Sequence, residues 1–400
     1  MPSSDWSALP LDLLGNIAIK LETIEDFIYF STVCRCWNRA SSTIKHLWRG
    51  TPVPWLLLAE NTKDNNPNCI RKIVNLSNNK CYKFPLPETS GARCSGSAYG
   101  WVATIDRHLN VQLINPITKA RIQFPSLENI PGLHSYDQKI DKTKENYINW
   151  CLSGFVDKLV VLKAVSQSCR HEFVIVVFYL IKSVAMARPG DQSWTSILTD
   201  KSNGKMVDVM VMGDQVFGLY NGGRLVYWNA NEFFNLEFVK QIDYSPIQRH
   251  IFEELYHRIH SIYLIQSGSE LIMALRYKTE VPDETGRDFD YDIVYRTLGF
   301  ELYKLNAITK LWEEIEELGD EALLLGCNSS MSVSNASRKC LQGGCMYFTD
   351  DETQFWHVPK EFAGHDMGVY DIKKNELCRF YEGDDTRCRT GPPTFFIPQF

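Results

Sequence analysis

A small all-α module followed by an all-β domain several times its size, built as a β-propeller, is the fold class predicted by this sequence of 400 residues. Three observations carry the prediction. Apolar residues recur at helical spacing up to about residue 50. Beyond that point short apolar runs alternate with turn residues, as strands do. One hairpin plan also returns again and again: an apolar strand, an Asn or Asp, a short polar turn and a second strand.

The helices come first. Leu13, Leu14, Ile17, Ala18 and Leu21 make one apolar stripe of a short helix that Pro10 opens, since its missing N–H is not needed there. Thr23, a capping residue with Asp26 three positions on, starts a second helix. Phe27, Phe30, Val33, Cys34 and Trp37 form another apolar set, with a break near Ser31. So small a module has little core of its own, so its apolar side chains must pack on the neighbouring domain or be covered by another protein. The second is the reading favoured by the sequence. Trp48, Arg49, Gly50 and two prolines between Ser41 and Pro54 mark a passage into new structure, giving expected domains of 1–50 and 51–400.

In the second domain, WLLLAE at 55–60 reads as a first strand and the polar NTKDNNPN as a loop. IRKIVNLSNNKCYKFPLP at 70–87 then makes a hairpin turning at Ser77 to Asn79. VQLINPITKARIQFP at 111–125, ELYKLNAITKLWEEI at 301–315 and VYDIKKNELCRFYEG at 369–383 repeat the plan. Weaker copies lie at 224–239 and at 173–181 with the distal Ser193-Trp194. The Asn or Asp recurs because its side chain hydrogen-bonds neighbouring backbone and tolerates unusual dihedrals. Other strands are read at 97–106, 207–220 and 343–351, and Trp101, Tyr220, Trp228, Trp312 and Trp356 as aromatic core. FEELYHRI at 252–259 reads as a turn or two of helix, and SGARCSGSAYG at 90–100 as a mobile loop. Units of three or four strands cannot cover their own apolar faces, so they must close into a ring or stack. A propeller is inferred, with the number of blades open and a stacked β-sandwich array as the alternative.

Two resemblances follow from particular residues. Leu9-Pro10, Leu13-Leu14, Ile17, Leu21, Asp26 and Val33-Cys34 with Trp37, in this order and spacing, resemble the F-box. The resemblance implies docking onto the Skp-type adaptor of cullin-based ubiquitin ligases, with Leu9, Pro10, Leu13, Leu14, Ile17, Leu21, Val33, Cys34 and Trp37 as the adaptor-binding residues. Gly100-Trp101-Val102, Leu113 to Pro116, Gly343 to Asp351, Val369 to Ile372 and Gly391-Pro392-Pro393 look like the plant F-box family whose carboxy-terminal region is related to kelch propellers, the KIB-like family. That likeness implies a substrate receptor: the helices hold the adaptor, and through it cullin and RING subunits, while the propeller holds a client protein. It names neither the client nor the residues that bind it. The rival readings are a helical hairpin packed on its own domain, an interaction scaffold outside any ligase, and a propeller hydrolase with carboxylates in its channel.

Composition and motifs exclude much else. With 44% hydrophobic and 12% aromatic residues the chain is globular, and a net charge of −6 argues against a general nucleic-acid binder. MPSSDWSALP holds no basic segment followed by an apolar run, and FVIVVFYLI at 173–181 is too short to span a bilayer. No membrane partner is therefore expected, and the expected location is cytoplasm or nucleus. Twelve cysteines are then read as free thiols, and the close pairs Cys34/Cys36 and Cys340/Cys345 lack structural-zinc spacing. Asn75, Asn328 and Asn335 head chance glycosylation sequences. His171-Glu172 lacks the second His of a zinc protease, Gly222-Gly223 reads as a hairpin turn, and neither a phosphate loop nor a Gly-x-Ser-x-Gly elbow occurs. No catalytic residue, cofactor or metal site is expected. Glu313, Glu314, Glu316, Glu317, Asp320 and Glu321 form an acidic run with two readings, a solvated hairpin edge or a patch for a basic client segment. Glu280, Asp283, Glu284, Asp288, Asp290 and Asp292 make a second acidic loop for the same patch.

Overall fold

In the computed structural model, which describes residues 6–48, 50, 53–59, 69–131, 156–165, 171–179, 183–197, 204–230, 242–244, 259–282, 293–351, 366–378 and 393–400, three helices precede six β-sheets. The helices are α1 (Leu11–Ala18), α2 (Ile24–Thr32) and α3 (Arg35–Ile44). Thr23 caps α2 as its sequence demands: its Oγ1 accepts from the Asp26 N–H at 3.1 Å and donates to the Asp26 carboxylate at 2.8 Å. The chain then breaks at Cys34, which is fully extended before α3 begins. Leu14, Ala18, Phe27, Phe30 and Ala40 close over one another as the core of the module.

The sheets are the blades of a six-bladed propeller. Blade 1 holds β1 (Trp55–Leu57), β2 (Ile70–Asn75) and β3 (Cys81–Pro85). Blade 2 holds β4 (Arg93–Ala98), β5 (Trp101–Ile105), β6 (Val111–Ile114) and β7 (Arg121–Gln123). Blade 3 is β8 (Val156–Val165), β9 (His171–Tyr179), β10 (Ser183–Ala187) and β11 (Thr195–Ile197). Blade 4 is β12 (Met206–Met212), β13 (Gln215–Tyr220), β14 (Leu225–Asn229) and β15 (Ile242–Tyr244). Blade 5 is β16 (Ile259–Ser267), β17 (Glu270–Pro282), β18 (Ile293–Leu305) and β19 (Trp312–Ile315). Blade 6 has five strands, β20 (Glu321–Leu325), β21 (Met331–Ser334), β22 (Cys345–Phe348), β23 (Gly368–Asp371) and β24 (Glu376–Cys378), with β20 and β22 parallel. Finally β25 (Thr394–Phe396) returns to blade 1 and pairs antiparallel with β1, Trp55 against Phe396.

Six apolar clusters fill the six gaps between neighbouring blades, and the last of them closes the ring. Leu56, Val74 and Phe395 of blade 1 meet Leu324, Val333 and Tyr347 of blade 6 in that gap. Each large side chain removed from water here is worth about 1.5–3 kcal/mol. No blade could bury these faces alone, so the closed ring answers the choice between ring and stack.

The recurring hairpin is the outermost pair of a blade. Asn75 and Asp371 end, and Asn115 and Asn306 directly follow, the inner strand of that pair in blades 1, 6, 2 and 5 respectively. The Asn115 Oδ1 accepts from the Ile117 and Thr118 N–H groups at 3.0 Å, and the Asn306 Oδ1 accepts from Ile308 at 2.9 Å and Thr309 at 3.0 Å. Four residues after each of the four stands one with positive φ, namely Asn79, Lys119, Lys310 and Asn375. The Asn or Asp thus supplies acceptors that the turn backbone lacks, which is why the plan was visible in the sequence. The weak copy at 173–181 is corrected: the outer hairpin of blade 3 pairs β10 with β11, and 173–181 overlaps its second strand, β9. In blade 4, β15 lies beyond the strand expected to end at 239, and residues 231–241 lie outside the described set.

Other expectations resolve in the same way. The Gly/Ser-rich 90–100 is no loop: Arg93 to Ala98 form β4, all six residues buried. Small residues are needed there because the first strands of neighbouring blades crowd together, and a Cβ on Gly96 would come 2.8 Å from the Leu159 carbonyl of β8. His171-Glu172 opens β9, and Gly223, at φ +74, turns β13 into β14. Asn75 and Asn328 are buried, and the cysteines among the described residues are free. Tyr220, Trp228 and Trp312 are core residues, with Trp101 half-buried. FEELYHR and Trp356 lie outside the described residues.

Blades 5 and 6 share a buried polar joint. The Arg276 guanidinium, with no exposure, donates to Asp351 at 2.9 Å, to Asp366 at 3.0 Å, and to the Thr349 carbonyl at 2.8 Å. Lys278 reaches the same Asp351 oxygen at 3.0 Å, and Tyr263 donates to its other oxygen at 2.6 Å. Burial alone would raise the Asp351 carboxyl, but the Lys278 and Arg276 charges outweigh it and hold the group well below the usual carboxylate range.

Candidate functional site

Two surfaces stand out, one on the helices and one on the propeller rim. On α1 the residues alternate between inside and outside by a single step of the helix. Leu14 and Ala18 point into the module and are 0% exposed, whereas Leu13 and Ile17 keep 51% and 40% of their surface. Val33, at the break between α2 and α3, and Tyr29 are each 60% exposed. Pro10 is exposed too, while Leu9, Leu21, Cys34 and Trp37 are half-buried. Leu9, Leu21 and Trp37 pack on the module's core, and the Trp37 indole donates to the Trp6 carbonyl at 3.1 Å.

Within the expected adaptor set the structure sets Leu14 apart. Leu14 is a core residue, packed with Phe27, Phe30 and Ala40, and has no surface to offer a partner. Leu13 and Leu14 sit side by side in the stripe, and only the packing of α2 and α3 decides which of them turns inward.

The module is fastened to the propeller, which fixes where that face points. Ile24, Ile28 and Trp48 join Trp55, Ile73, Val102 and Phe396 in the cluster between blades 1 and 2. The Asn75 amide donates to the buried Glu25 carboxylate of α2. Phe400 reaches from beyond β25 into the helices, its ring 4.7 Å from that of Phe27 and 5.6 Å from that of Trp48.

On the rim, the outer strands of blades 5 and 6 enclose a cleft of about 690 Å³. Its apolar surface comes from Leu298, Phe300, Ile315 and Tyr370, with the Phe300 and Tyr370 rings tilted at 51° to each other at a centroid distance of 5.6 Å. Leu298 is 59% exposed. Four carboxylates line the cleft, Glu301, Glu314, Glu316 and Glu317, against one cation, Lys373, which sits 3.6 Å from Glu317. Burial first, and then the nearby Glu301 carboxylate, push the Tyr277 and Tyr303 phenols well above their usual value, and the Tyr303 hydroxyl donates to Glu301 at 2.9 Å.

Half of this cleft was legible in the acidic run and half was not. Glu314, Glu316 and Glu317 belong to that run, whereas Glu313, Asp320 and Glu321 turn elsewhere: Glu313 accepts from Asn306, Asp320 from Ser337 and Glu321 from Ser267. Glu301, Leu298 and Tyr370 were missed, and no local signal joins them, because β18 and β23 meet only once the blades are side by side. Asp283 to Asp292 lie outside the described residues. Among the described residues no group of three or more His, Cys, Asp and Glu side chains is arranged to hold a metal, and no helix is long and apolar enough to cross a membrane.

Comparison with known proteins places the chain in a family. The family model described as "KIB1-4 beta-propeller" matches residues 73–371. The F-box protein SKIP23 of Arabidopsis thaliana is 25% identical over 397 residues, covering 93% of this chain and 90% of its own. The F-box/kelch-repeat protein KIB1 of the same plant is 25% identical over 421 residues, covering 99% and 93%. Among solved structures, the Cps50 (Swd1) β-propeller domain of Myceliophteria thermophila aligns over 80% of this chain and 81% of its own, at 12% identity and a TM-score of 0.32.

Proposed function

The chain belongs to the KIB1-4 β-propeller family, and from that premise we propose that it is the substrate receptor of a Skp–cullin–F-box ubiquitin ligase. One observation carries the reading: Leu13, Ile17 and Val33 stay exposed on a helical module whose core is already filled. Large aliphatic side chains left in water on a built surface are what a protein partner covers. In this reading that partner is a Skp-type adaptor, docking on Pro10, Leu13, Ile17 and Val33, with Leu9, Leu21, Cys34 and Trp37 at the edge and shaping the face from behind. Through the adaptor come the cullin and RING subunits.

The chain's contribution to ubiquitination is then geometric. The helices hold the adaptor, the propeller holds a client protein, and a client lysine is kept at high local concentration before the ubiquitin-loaded enzyme. The residues of the chain break and form no bonds, and its working place is the cytoplasm or nucleus. Rigid fastening of the helices, through Glu25, Phe400 and Trp48, suits this role, because a tether increases the encounter rate only when both ends are held in compatible directions.

The test is co-purification of the full chain with a plant Skp-type adaptor, comparing wild type with the L13A/I17A pair. Retention of the adaptor by wild type and its loss from the pair, with the melting temperature unchanged, supports the reading. Equal retention by both, or by neither, sinks it and leaves a propeller that binds proteins outside any ligase. Leu14→Ala is the contrasting variant: it removes a fully buried leucine and is expected to cost about 2–5 kcal/mol of stability in the module.

A further inference from the structure

We propose that the cleft between the outer strands of blades 5 and 6 is the client-binding surface, and that it takes an extended segment rich in arginine or lysine. The proposal deepens the receptor reading and rests on it. It starts from the chemistry of the walls. Leu298 lies 59% exposed beside Phe300 and Tyr370, an apolar floor of the kind that the aliphatic stem of a long basic side chain covers. Tyr277 and Tyr370 line the same space, and aromatic rings of this kind can take part in binding a cation.

Charge selects the occupant. Glu301, Glu314, Glu316 and Glu317 line the cleft, Glu301 already accepting from the Tyr303 hydroxyl at 2.9 Å, and Lys373 is the one cation among the lining residues; that lysine and Glu317 are each more than 70% exposed at 3.6 Å, where a pair contributes little. Four like charges around a concave, partly apolar surface raise its negative potential and draw in a partner of opposite sign. An acidic or purely apolar segment would leave these carboxylates desolvated and unpaired, which is the more costly arrangement. Selectivity for basic segments therefore arises as much from rejecting the others as from attracting the right one.

Size and position agree. A volume of about 690 Å³ is of the order that a few side chains fill. The cleft opens along β19, the outer edge of blade 5, whose Glu314 stands opposite Tyr303 and whose Ile315 stands opposite Leu302. An extended segment laid along this edge presents its side chains alternately to the cleft and to solvent, so every second residue would meet the carboxylates or Leu298.

The test is fluorescence anisotropy with a labelled dodecapeptide of repeating arginine, serine and phenylalanine, against the full chain without adaptor. Wild type is expected to bind it saturably and less well as salt rises from about 50 to 300 mM. The triple variant E314Q/E316Q/E317Q, and separately Leu298→Ala, should each weaken binding about tenfold or more while leaving the melting temperature in place. A counterpart with glutamate in place of arginine should not bind. Absence of saturable binding by wild type, or equal affinity in wild type and triple variant, overturns the assignment. Because the adaptor is absent from this measurement and the cleft is remote in sequence from the helices, failure here is distinguishable from failure of the co-purification.

Discussion

Replacing Arg276 with methionine is expected to destabilise the propeller by about 3–5 kcal/mol at neutral pH, the range for removing one partner from a buried ion pair. Methionine keeps most of the apolar contact that the arginine makes with Phe348, whose ring centroid is 4.6 Å from the guanidinium carbon. What it removes is charge and hydrogen bonding. Asp366 loses its ion pair with the guanidinium, Asp351 keeps Lys278 as its cation and Tyr263 as a donor, and the Thr349 carbonyl loses a donor at 2.8 Å. Both carboxylates then stand in the joint between two blades with too little positive charge. The loss should carry a pH signature. In wild type, Asp351 is held below its unfolded value of about 3.9, so its contribution is complete above that pH and is lost as the pH falls through the lower folded value. In the variant the missing Arg276 charge lets the folded Asp351 carboxyl take up its proton at higher pH than in wild type. The difference between the two chains should therefore shrink from pH 7.5 to about 5. Urea titration followed by tryptophan fluorescence measures this at both pH values, and the double variant R276M/D366N should recover part of the loss at pH 7.5. A cost below about 1 kcal/mol, or one that is the same at both pH values, would refute the account of the joint.

Three further outcomes are expected. Gly100 turns β4 into β5 at φ +81, and a Cβ there would come 2.9 Å from the Gln399 N; Gly100→Ala should cost at least about 1–2 kcal/mol in a urea titration and displace the tail. Phe400→Ala should loosen the helices from the propeller at a cost of about 1–3 kcal/mol, less than for a fully buried ring, detected as faster cleavage between residues 44 and 55 by a dilute protease. Burial pushes the Cys327 thiol up to about 12, so in the native chain a maleimide followed by peptide mapping should modify the exposed Cys36, Cys81, Cys340 and Cys378 and leave Cys327 unmodified until the protein unfolds.

What could be read from the sequence was what is decided locally. The Thr23 cap and the Asn115 and Asn306 turns are made by side chains bonding to backbone a few residues away, so they are visible in any short window. Leu13 and Leu14 illustrate the opposite case. Both fit the helical stripe, and the choice between core and surface depends on two other helices. The strand β4 was misread because Gly96 leaves room for Leu159 of another blade, a demand that a single segment cannot reveal. The number of blades was hidden for a related reason: β17 and β18 of thirteen residues each and the extra strand of blade 6 spoil any fixed period. The cleft is the least legible feature, assembled from strands that lie far apart in the chain.

The pairing of β1 with β25 has a consequence for how the molecule is made. Leu57 lies against Thr394, so nearly the whole chain must be synthesised before blade 1 has its fourth strand. Until then β1 carries an open edge, and blades 1 and 6 expose the apolar residues that later meet in their shared gap. Closing so long a loop is entropically slow and follows rather than leads the formation of the other blades. On its other side, in the gap between blades 1 and 2, the β1–β25 pair meets Ile24, Trp48 and Phe400, so the helices acquire their final footing only when β25 is in place. A chain arrested before that moment has an exposed strand edge and an unanchored amino-terminal module, and it presents itself to chaperones and proteases as unfinished.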